Sequence, residues 1–254
     1  MTECMGDTPR LPSAYSLLHF ETLASTNDEA RSRAVSGAAD GTLVWADMQT
    51  AGRGRRGREW VSPCGNLYFS LLLRPGGTAG RAAQLSLVTA VAVGDAVASF
   101  LPSSDAVRFK WPNDVLVGGA KVAGILLESS GTSGSAIEWL VLGCGVNVVD
   151  APKLTDYPAT SLRAAGASKV PVSHVLERIV LAFDPWRQRW QNEGIGPVRD
   201  AWLARAQGLG ERIRVRLPDG EIGGRFADID GDGAMVLETE PGVRRTVTAG
   251  DVFF

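Results

Sequence analysis

The densest group of side chains that could do chemistry lies at residues 52–58, where four arginines alternate with three glycines. Glycine lets a backbone approach a ligand closely, and guanidinium groups bind carboxylates and phosphates through paired hydrogen bonds. The segment directly follows a predicted strand. It therefore predicts a loop that closes on an anion.

Other interpretations of this loop stay open. Residues 52–57 match the G-x-G-x-x-G pattern of dinucleotide-binding folds, but that pattern requires a helix that opens within the glycines. Residues 60–65 instead indicate a turn that leads to another strand. An RNA-binding arginine–glycine segment would lie in disordered polar sequence rather than between strands. An ordinary solvated loop is the remaining alternative.

Two further segments contain a lysine beside apolar sequence. Residues 110–114 (KWPND) place a lysine, an aromatic ring and two short polar side chains at a strand end, where they can face a cleft. Residues 121–126 (KVAGIL) form an apolar strand that opens on Lys121, and a lysine in such a run indicates an anionic partner. The alternatives are an ordinary Asn-Asp turn and a lysine whose amine reaches solvent.

Small polar groups occur in two more segments. Residues 143–148 (GCGVNV) follow a hydrophobic strand and contain Asn147, whose amide suits an amide-like or purine edge. A β-bulge would explain these glycines equally well. Ser25, Thr26 and Asn27 begin a predicted helix, where plain capping is the alternative.

Hydrophobic patterning predicts the elements that position these five segments. We expect helices at 25–39 and 81–101, and strands at 41–48, 66–74, 107–111 and 136–149. A hairpin should join 115–117 to 121–128 through Gly118 and Gly119. Because most strands follow one another without intervening helices, an α+β fold is favoured over a doubly wound sheet.

The C-terminal part of the sequence has a different texture. A helix at 173–191 should kink or break at Asp184-Pro185. After residue 207, short alternating strands separated by glycine-containing turns predict a small β-barrel. We therefore expect a larger domain at 1–206 and a barrel at 207–254, without repeats or low-complexity segments.

Composition restricts the environment and the class of partner. The 254 residues include 26 basic and 28 acidic side chains, so a net charge of −2 argues against coating nucleic acid or an anionic membrane. No signal peptide is evident, and the apolar run 85–101 contains Gly94 and Asp95, which favours a buried helix. Three cysteines outside any Cys/His cluster predict neither disulfides nor a zinc site. We expect a cytoplasmic protein.

In this order, the five segments resemble the biotin protein ligase family, also called biotin:acetyl-CoA-carboxylase ligase. The resemblance runs from about residue 20 to the C-terminal barrel and depends chiefly on the arginine loop, KWPND and KVAGIL. It implies a class II synthetase-like catalytic domain, in which a mixed sheet packs with helices, and an SH3-like barrel. Residues 62–68 (SPCGNLY) contain one residue fewer than the usual SPxGxNLY pattern. This difference affects the expected shape of the local loop, not the expected function.

The resemblance also implies roles for individual residues. Biotin would contact Ser25, Thr26, Asn27, Gln49, Gly52, Arg53, Gly54, Arg55, Lys121 and Gly124. The first three residues and Gln49 are small polar groups suited to the ureido ring. ATP would contact Arg53, Arg55, Arg58, Trp60, Lys110, Asn113, Lys121 and Asn147. The catalytic residues would be Arg55, Lys121 and Asp114, and Mg²⁺ would accompany the pyrophosphate, with its protein ligands unknown.

The implied partner is the biotin carboxyl carrier protein or domain of acetyl-CoA carboxylase or a related carboxylase. Only 24 residues precede Ser25, too few for the helix-turn-helix domain of regulatory members, so no DNA binding is expected. Monomer and edge-paired homodimer both stay open. The alternatives are a lipoate-protein ligase, a nucleic-acid-binding regulator and a catalytically inactive scaffold. The polar set around Gln49 favours biotin over lipoate.

Overall fold

A mixed β-sheet forms the centre of the larger domain. The computed structural model describes residues 8–130, 136–153 and 157–254. Within them, seven strands form this sheet: β1 (Ser16–Leu23), β2 (Thr42–Gln49), β3 (Leu67–Leu73), β4 (Val107–Lys110), β5 (Asp114–Val117), β6 (Ala120–Ser129) and β7 (Leu140–Val146). Their order is β1-β2-β3-β7-β6-β5-β4, with β1 and β2 parallel and the other neighbours antiparallel. The expected α+β class is confirmed.

Helices cover both faces of this sheet. Helix α1 (Thr26–Val35) packs Ala30 and Ala34 against Val44, Leu72 and Val141. Successive strand residues point to opposite faces, and the residues alternating with these, such as Leu43 and Leu71, join the larger core on the other side. That core receives α2 (Ala79–Ala83), α3 (Leu85–Ala98), α4 (Val172–Glu193) and α5 (Gly196–Leu203).

The central strands and α3 are apolar on both faces because both are covered. The stretch Ala79–Ala98 is long and apolar enough to cross a membrane by length and composition, but most of it is buried inside the fold. A helix that is apolar all round is expected in a protein core. The structure therefore confirms a buried helix, although α2 and α3 divide the segment and it ends at Ala98 rather than residue 101.

Helix α4 corrects one of the two outcomes predicted at Asp184-Pro185, the break. The helix continues through Pro185 without a break. Its apolar face is buried before the proline at Ile179 and Phe183, and after it at Trp190. This packing on both sides outweighs a local cost of about 3 kcal/mol for proline within a helix.

The C-terminal residues form a second, antiparallel sheet. It contains β8 (Arg212–Leu217), β9 (Gly220–Ile229), β10 (Met235–Glu240), β11 (Val243–Val247) and β12 (Asp251–Phe253) in the order β11-β10-β9-β8-β12. Its apolar face belongs to the same hydrophobic core as the larger domain. The Trp202 ring lies between Phe109 and Phe226, with centroid distances of 5.9 Å and 6.4 Å.

Two elements and one cysteine were not anticipated. The edge strand β1 is only partly buried, and α5 is eight residues long, so neither has a strong hydrophobic pattern. Cys64 is disulfide-bonded, so the prediction of no disulfide was wrong at this residue. An odd number of cysteines does not exclude a single pair. Cys144 is free and buried.

Candidate active site

One cavity of about 470 Å³ collects the predicted site residues. It lies where the N-terminus of α1, the arginine loop and strands β5 to β7 meet, with β12 at its rim. The cavity is lined by all predicted residues except Gly52: Ser25, Thr26, Asn27, Gln49, Arg53, Gly54, Arg55, Arg58, Trp60, Lys110, Asn113, Asp114, Lys121, Gly124 and Asn147. The sequence motifs therefore converge in space.

The arginine loop, residues 52–58, forms the tip of a short hairpin that spans residues 49–62. Trp60 N donates to Gly52 O at 2.9 Å, and Gly54 N donates to Arg58 O at 2.7 Å. At its tip, Arg56 has a φ of 56°, a left-handed conformation that L-residues seldom adopt. Gly52 does not line the cavity: a Cβ there would lie 2.4 Å from Trp60 O, so this glycine permits the hairpin to close. Its predicted contact with biotin is not supported.

The four loop arginines have different partners. Arg53 makes a bidentate ion pair with Asp28, with both N–O distances 2.7 Å. Arg56 and Arg58 lie 3.1 Å and 2.5 Å from Asp251 Oδ2. Arg55 instead donates to neutral oxygens, Asn113 Oδ1 at 3.2 Å and Gly250 O at 3.5 Å. Burial lowers the pKa of Arg55, so this is a partly desolvated cation paired with no carboxylate among the described residues.

A neutral polar corner lies beside the loop. Gln49 Oε1 accepts hydrogen bonds from Thr26 N and Thr26 Oγ1 at 2.8 Å and 3.1 Å, and Gln49 Nε2 donates to Ser62 Oγ at 3.0 Å. These partners fix the orientation of the amide and leave one of its N–H groups for a ligand. Ser25 and Thr26 are each 4% exposed. Such a corner suits a neutral ring with N–H and C=O groups.

Asn27 lies next to this polar corner and is held by two side chains. Its Nδ2 donates to Glu128 Oε2 at 2.7 Å, and its Oδ1 accepts from Ser70 Oγ at 2.6 Å. A Cβ at Gly143 would lie 2.1 Å from Asn27 Oδ1, so the first glycine of the GCGVN segment makes room for this amide. A bulge is not needed to explain it.

Lys121 points into the cavity rather than to bulk solvent. Its Nζ lies 2.6 Å from Asp114 Oδ1 and 5.3 Å from the centroid of the Trp60 ring. Strand β6 holds the lysine in place: Lys121 N donates to Pro158 O, and Lys121 O accepts from Thr160 N. The alternative of a solvent-seeking lysine is therefore not supported, and the predicted anionic partner is Asp114.

Lys110 is a second cation in the cavity, only 5% exposed. Its Nζ lies 2.9 Å from the centroid of the Tyr157 ring. Burial lowers the pKa of Lys110 to about 8, and the nearby Asp114 limits the decrease. The amine is therefore mostly charged at neutral pH and can contribute to binding an anion.

The Trp60 ring packs against strands β6 and β7, which form the floor of the cavity. Gly124 and Gly145 are paired across β6 and β7, and a Cβ on Gly145 would lie 2.5 Å from the indole ring. The Trp60 indole nitrogen is buried without a hydrogen-bond partner. Gly124 of KVAGIL and Gly145 of GCGVN thus leave room for the Trp60 ring to pack against the strands.

We expect Gly145→Ala to destabilise the protein by about 1–3 kcal/mol, because a rigid indole must move or the strand must shift. The free energy of unfolding in urea measures this effect. Gly223→Ala is a matched strand control, since its Cβ would meet only Ile213 O at 3.9 Å. Equal stability of the two variants would show that Trp60 does not depend on this glycine.

Asn113 and Asn147 form hydrogen bonds with the backbone that the sequence did not predict. Asn113 Nδ2 donates to Ile125 O at 2.6 Å, and Asn147 Nδ2 donates to Thr160 O at 3.0 Å. Both side chains therefore brace the backbone around the cavity as well as lining it. Their predicted contacts with the nucleotide stay predictions.

Several cavity residues were missed by the sequence analysis. Asp251 and Val252 of the C-terminal domain line the cavity, although none of the five sequence motifs falls in that part of the chain. Glu59 and Tyr157 also line it, while Asp28, Ser62, Ser70 and Glu128 hold lining residues from behind. Ser70 and Glu128 stand in otherwise apolar strands, which is the signal that could have identified them.

The described residues contain no group of three or more His, Cys, Asp or Glu side chains that could hold a metal ion. Burial raises the pKa of the Cys144 thiol in the cavity wall to about 12, so it is not a thiolate at neutral pH. The arrangement is suited to binding a polyanion beside a neutral polar group, not to covalent catalysis by this cysteine.

Comparison with known proteins shows the family. A family model for the biotin/lipoate A/B protein ligase family matches residues 20–147, and one for the biotin protein ligase C terminal domain matches 208–254. The biotin–[acetyl-CoA-carboxylase] ligase of Paracoccus denitrificans is 43% identical over 235 residues, which cover 91% of this chain and 97% of that protein.

Two solved structures extend the comparison. The biotin protein ligase from Aquifex aeolicus in complex with biotin and ATP has a TM-score of 0.78 at 27% identity, and the alignment covers 94% of this chain and 97% of that one. The ligase from Leishmania major in complex with biotinyl-5-AMP has a TM-score of 0.65 at 25% identity, covering 92% and 99%. Because these matches extend through both domains, the chain belongs to the biotin protein ligase family.

Proposed function

We propose that this biotin protein ligase works in two steps in one cavity. First, a carboxylate oxygen of biotin attacks the α-phosphorus of ATP, the bond to the bridging oxygen breaks, and pyrophosphate leaves. Second, the neutral amine of an acceptor lysine attacks the acyl carbon, AMP leaves, and the amine loses a proton. Complexes of relatives with biotin and ATP, and with biotinyl-5-AMP, support this order.

The observation that carries the proposal is the division of the cavity into a neutral and a cationic part. Ser25, Thr26 and Gln49 offer hydrogen bonds without charge, as the ureido ring requires. Beside them, Arg55 and Lys121 face the same space, where carboxylate and phosphate must meet. Preorganised cations at that point stabilise the developing charge.

Asp114 is the proposed group for the second step. An acceptor lysine at its usual pKa of about 10.4 is protonated in solution, and a carboxylate can orient it or take its proton. Asp114 is partly buried in the cavity and lies beside Lys121, next to the proposed reacting atoms.

Mg²⁺ is proposed to accompany the ATP phosphates rather than to occupy a dedicated protein site. Such ions commonly use one or two carboxylates plus substrate phosphates. Asp114 and Asp251 are the aspartates that line the cavity within the described residues, and both are already ion-paired. When bound, the ion would neutralise charge on the pyrophosphate.

The proposed acceptor is the biotin carboxyl carrier protein or domain of acetyl-CoA carboxylase, as the name of the Paracoccus relative suggests. We also propose a cytoplasmic location, since no signal peptide is evident in the sequence. No sequence-specific DNA binding is expected, which the net charge of −2 supports. A gel shift with one DNA sequence and its scrambled control, at physiological salt, tests the latter.

The activation step is tested by ATP–pyrophosphate exchange, measured separately with biotin and with lipoate. We expect exchange that depends on biotin and none above background with lipoate, because lipoate lacks the ureido group. Exchange with lipoate alone would contradict the assignment of the polar corner. Transfer to a purified carrier domain then tests the acceptor.

We expect Asp251→Asn to raise the KM for ATP about fivefold, since one carboxylate orders two loop arginines and such a pair contributes about 1 kcal/mol. Asp251 itself is 12% exposed, whereas its partners are more exposed. Asp219→Asn, at an exposed turn of the same domain, serves as the control. An unchanged KM for ATP would show that Asp251 of the C-terminal domain does not contribute to ATP binding.

A further inference from the structure

Two carboxylates from distant parts of the chain converge behind the cavity on one loop arginine. Asp28, in the first turn of α1, receives both terminal nitrogens of Arg53 at 2.7 Å. Glu128, near the end of β6, has its Oε1 3.7 Å from Arg53 Nη2. Arg53 lines the cavity, but neither carboxylate does.

Glu128 also orients a second cavity residue, Asn27. Its other oxygen, Oε2, accepts from Asn27 Nδ2 at 2.7 Å, while Ser70 donates to the Asn27 oxygen at 2.6 Å. A carboxylate can only accept from the amide, so it determines which end of the Asn27 side chain faces which neighbour. One acidic side chain thus touches both the arginine loop and the polar corner.

The geometry makes this a directional contact, although both side chains are partly exposed. The planar fork of Arg53 matches the Asp28 carboxylate in a bidentate arrangement, which fixes direction as well as distance. The hydrogen bond from Arg53 lowers the pKa of Asp28, and the same bond raises the pKa of Arg53. A negative charge in the first turn of α1 is also favoured by the helix dipole.

We propose that Asp28 and Glu128 are positioning residues that hold the arginine loop against α1 and orient Asn27, and that they thereby set the affinity for biotin. They act through Arg53 and Asn27 and touch no reacting atom. Because the loop is already held, binding biotin requires less ordering of the chain. The chemical step, which depends on Arg55 and Lys121, does not require them.

The first test is Asp28→Asn in the full-length chain. We expect the KM for biotin in ATP–pyrophosphate exchange to rise about two- to fivefold, with kcat nearly unchanged, since the pair is partly exposed and its contribution modest. Glu29→Gln is the matched control, because Glu29 lies in the same helical turn and pairs with Arg33 instead. A purely structural role would lower the urea midpoint and the active fraction without changing the KM for biotin.

The second test separates action through Arg53 from an independent effect. In a double-mutant cycle of Asp28→Asn with Arg53→Gln, the double variant should be no worse than the Arg53 variant alone. Glu128→Gln keeps an acceptor for Asn27 and should raise the KM for biotin less than Glu128→Ala does. Additive effects in the cycle, or an unchanged KM for biotin in the Asp28 and Glu128 variants, would overturn the proposal.

Discussion

Replacing Lys121 by alanine should slow the formation of biotinyl-5'-AMP by about 10²- to 10³-fold. Two anions, the biotin carboxylate and the α-phosphate, must approach each other in this step. Lys121 supplies a cation fixed on strand β6 and directed into the cavity, 2.6 Å from Asp114. Transfer from added biotinyl-5'-AMP should suffer less, because in that intermediate the two anions are already joined.

Single-turnover measurements of adenylation and transfer test this separately on folded protein. Binding of biotin without ATP should change only modestly, since its proposed ureido partners are Ser25, Thr26 and Gln49. Lys169→Ala, at an exposed loop position, is the control for removal of one lysine. Wild-type adenylation rates in the Lys121 variant would show that the catalytic cation has been misassigned.

Part of the loss should come from Asp114. Without Lys121, its partly buried carboxylate loses its ion-pair partner and repels the incoming anions more strongly. The double variant Lys121→Ala with Asp114→Asn should therefore adenylate faster than Lys121→Ala alone. If the second substitution brings no recovery, repulsion by Asp114 contributes nothing to the defect.

Arg55→Gly is expected to release the adenylate about 10- to 100-fold faster, with a smaller effect on binding of the biotin ring. A charge-assisted bond to phosphate contributes about 1.5–3 kcal/mol, and 1.4 kcal/mol corresponds to a factor of ten. Arg55 bonds only to neutral oxygens of Asn113 and Gly250 among the described residues, whereas Arg53, Arg56 and Arg58 have carboxylates. Its charge is thus available to a phosphate.

The dissociation rate of biotinyl-5'-AMP, followed by a quench assay, measures the effect. Escaped intermediate should also acylate exposed lysines of bystander proteins. Arg56→Gly introduces the same flexibility next door, at a φ of 56° that glycine adopts easily, and should leave the rate nearly unchanged. Equal rates for wild type and Arg55→Gly would remove Arg55 from the phosphate site.

The sequence predicted the parts of this site that are local in the chain. Arginine–glycine spacing predicted a loop near an anion site, and the loop lines the cavity with Arg53, Arg55 and Arg58. Glycines at 124, 143 and 145 were visible as a pattern, but their purpose was not. Only the structure shows that they accommodate Trp60 and Asn27, because that depends on neighbours many residues away.

The parts that could not be predicted are long-range ion pairs and weakly patterned elements. Asp28 and Asp251 look like ordinary surface carboxylates in the sequence, and their partners become evident only when the chain is folded. Strand β1 is only half covered, so its burial pattern is irregular. At Pro185 the local rule predicted a kink or a break, and tertiary packing on either side keeps the helix continuous.

The contacts of Trp202 with Phe109 and Phe226 have a consequence for how the protein unfolds. Since the two sheets share one apolar core, neither half can lose its structure without exposing aromatic surface of the other. We expect one cooperative transition on heating, seen as a single calorimetric peak and as amide protons that exchange together on both sides of residue 207. The change in sequence pattern near residue 207 is therefore not expected to separate two domains that unfold independently.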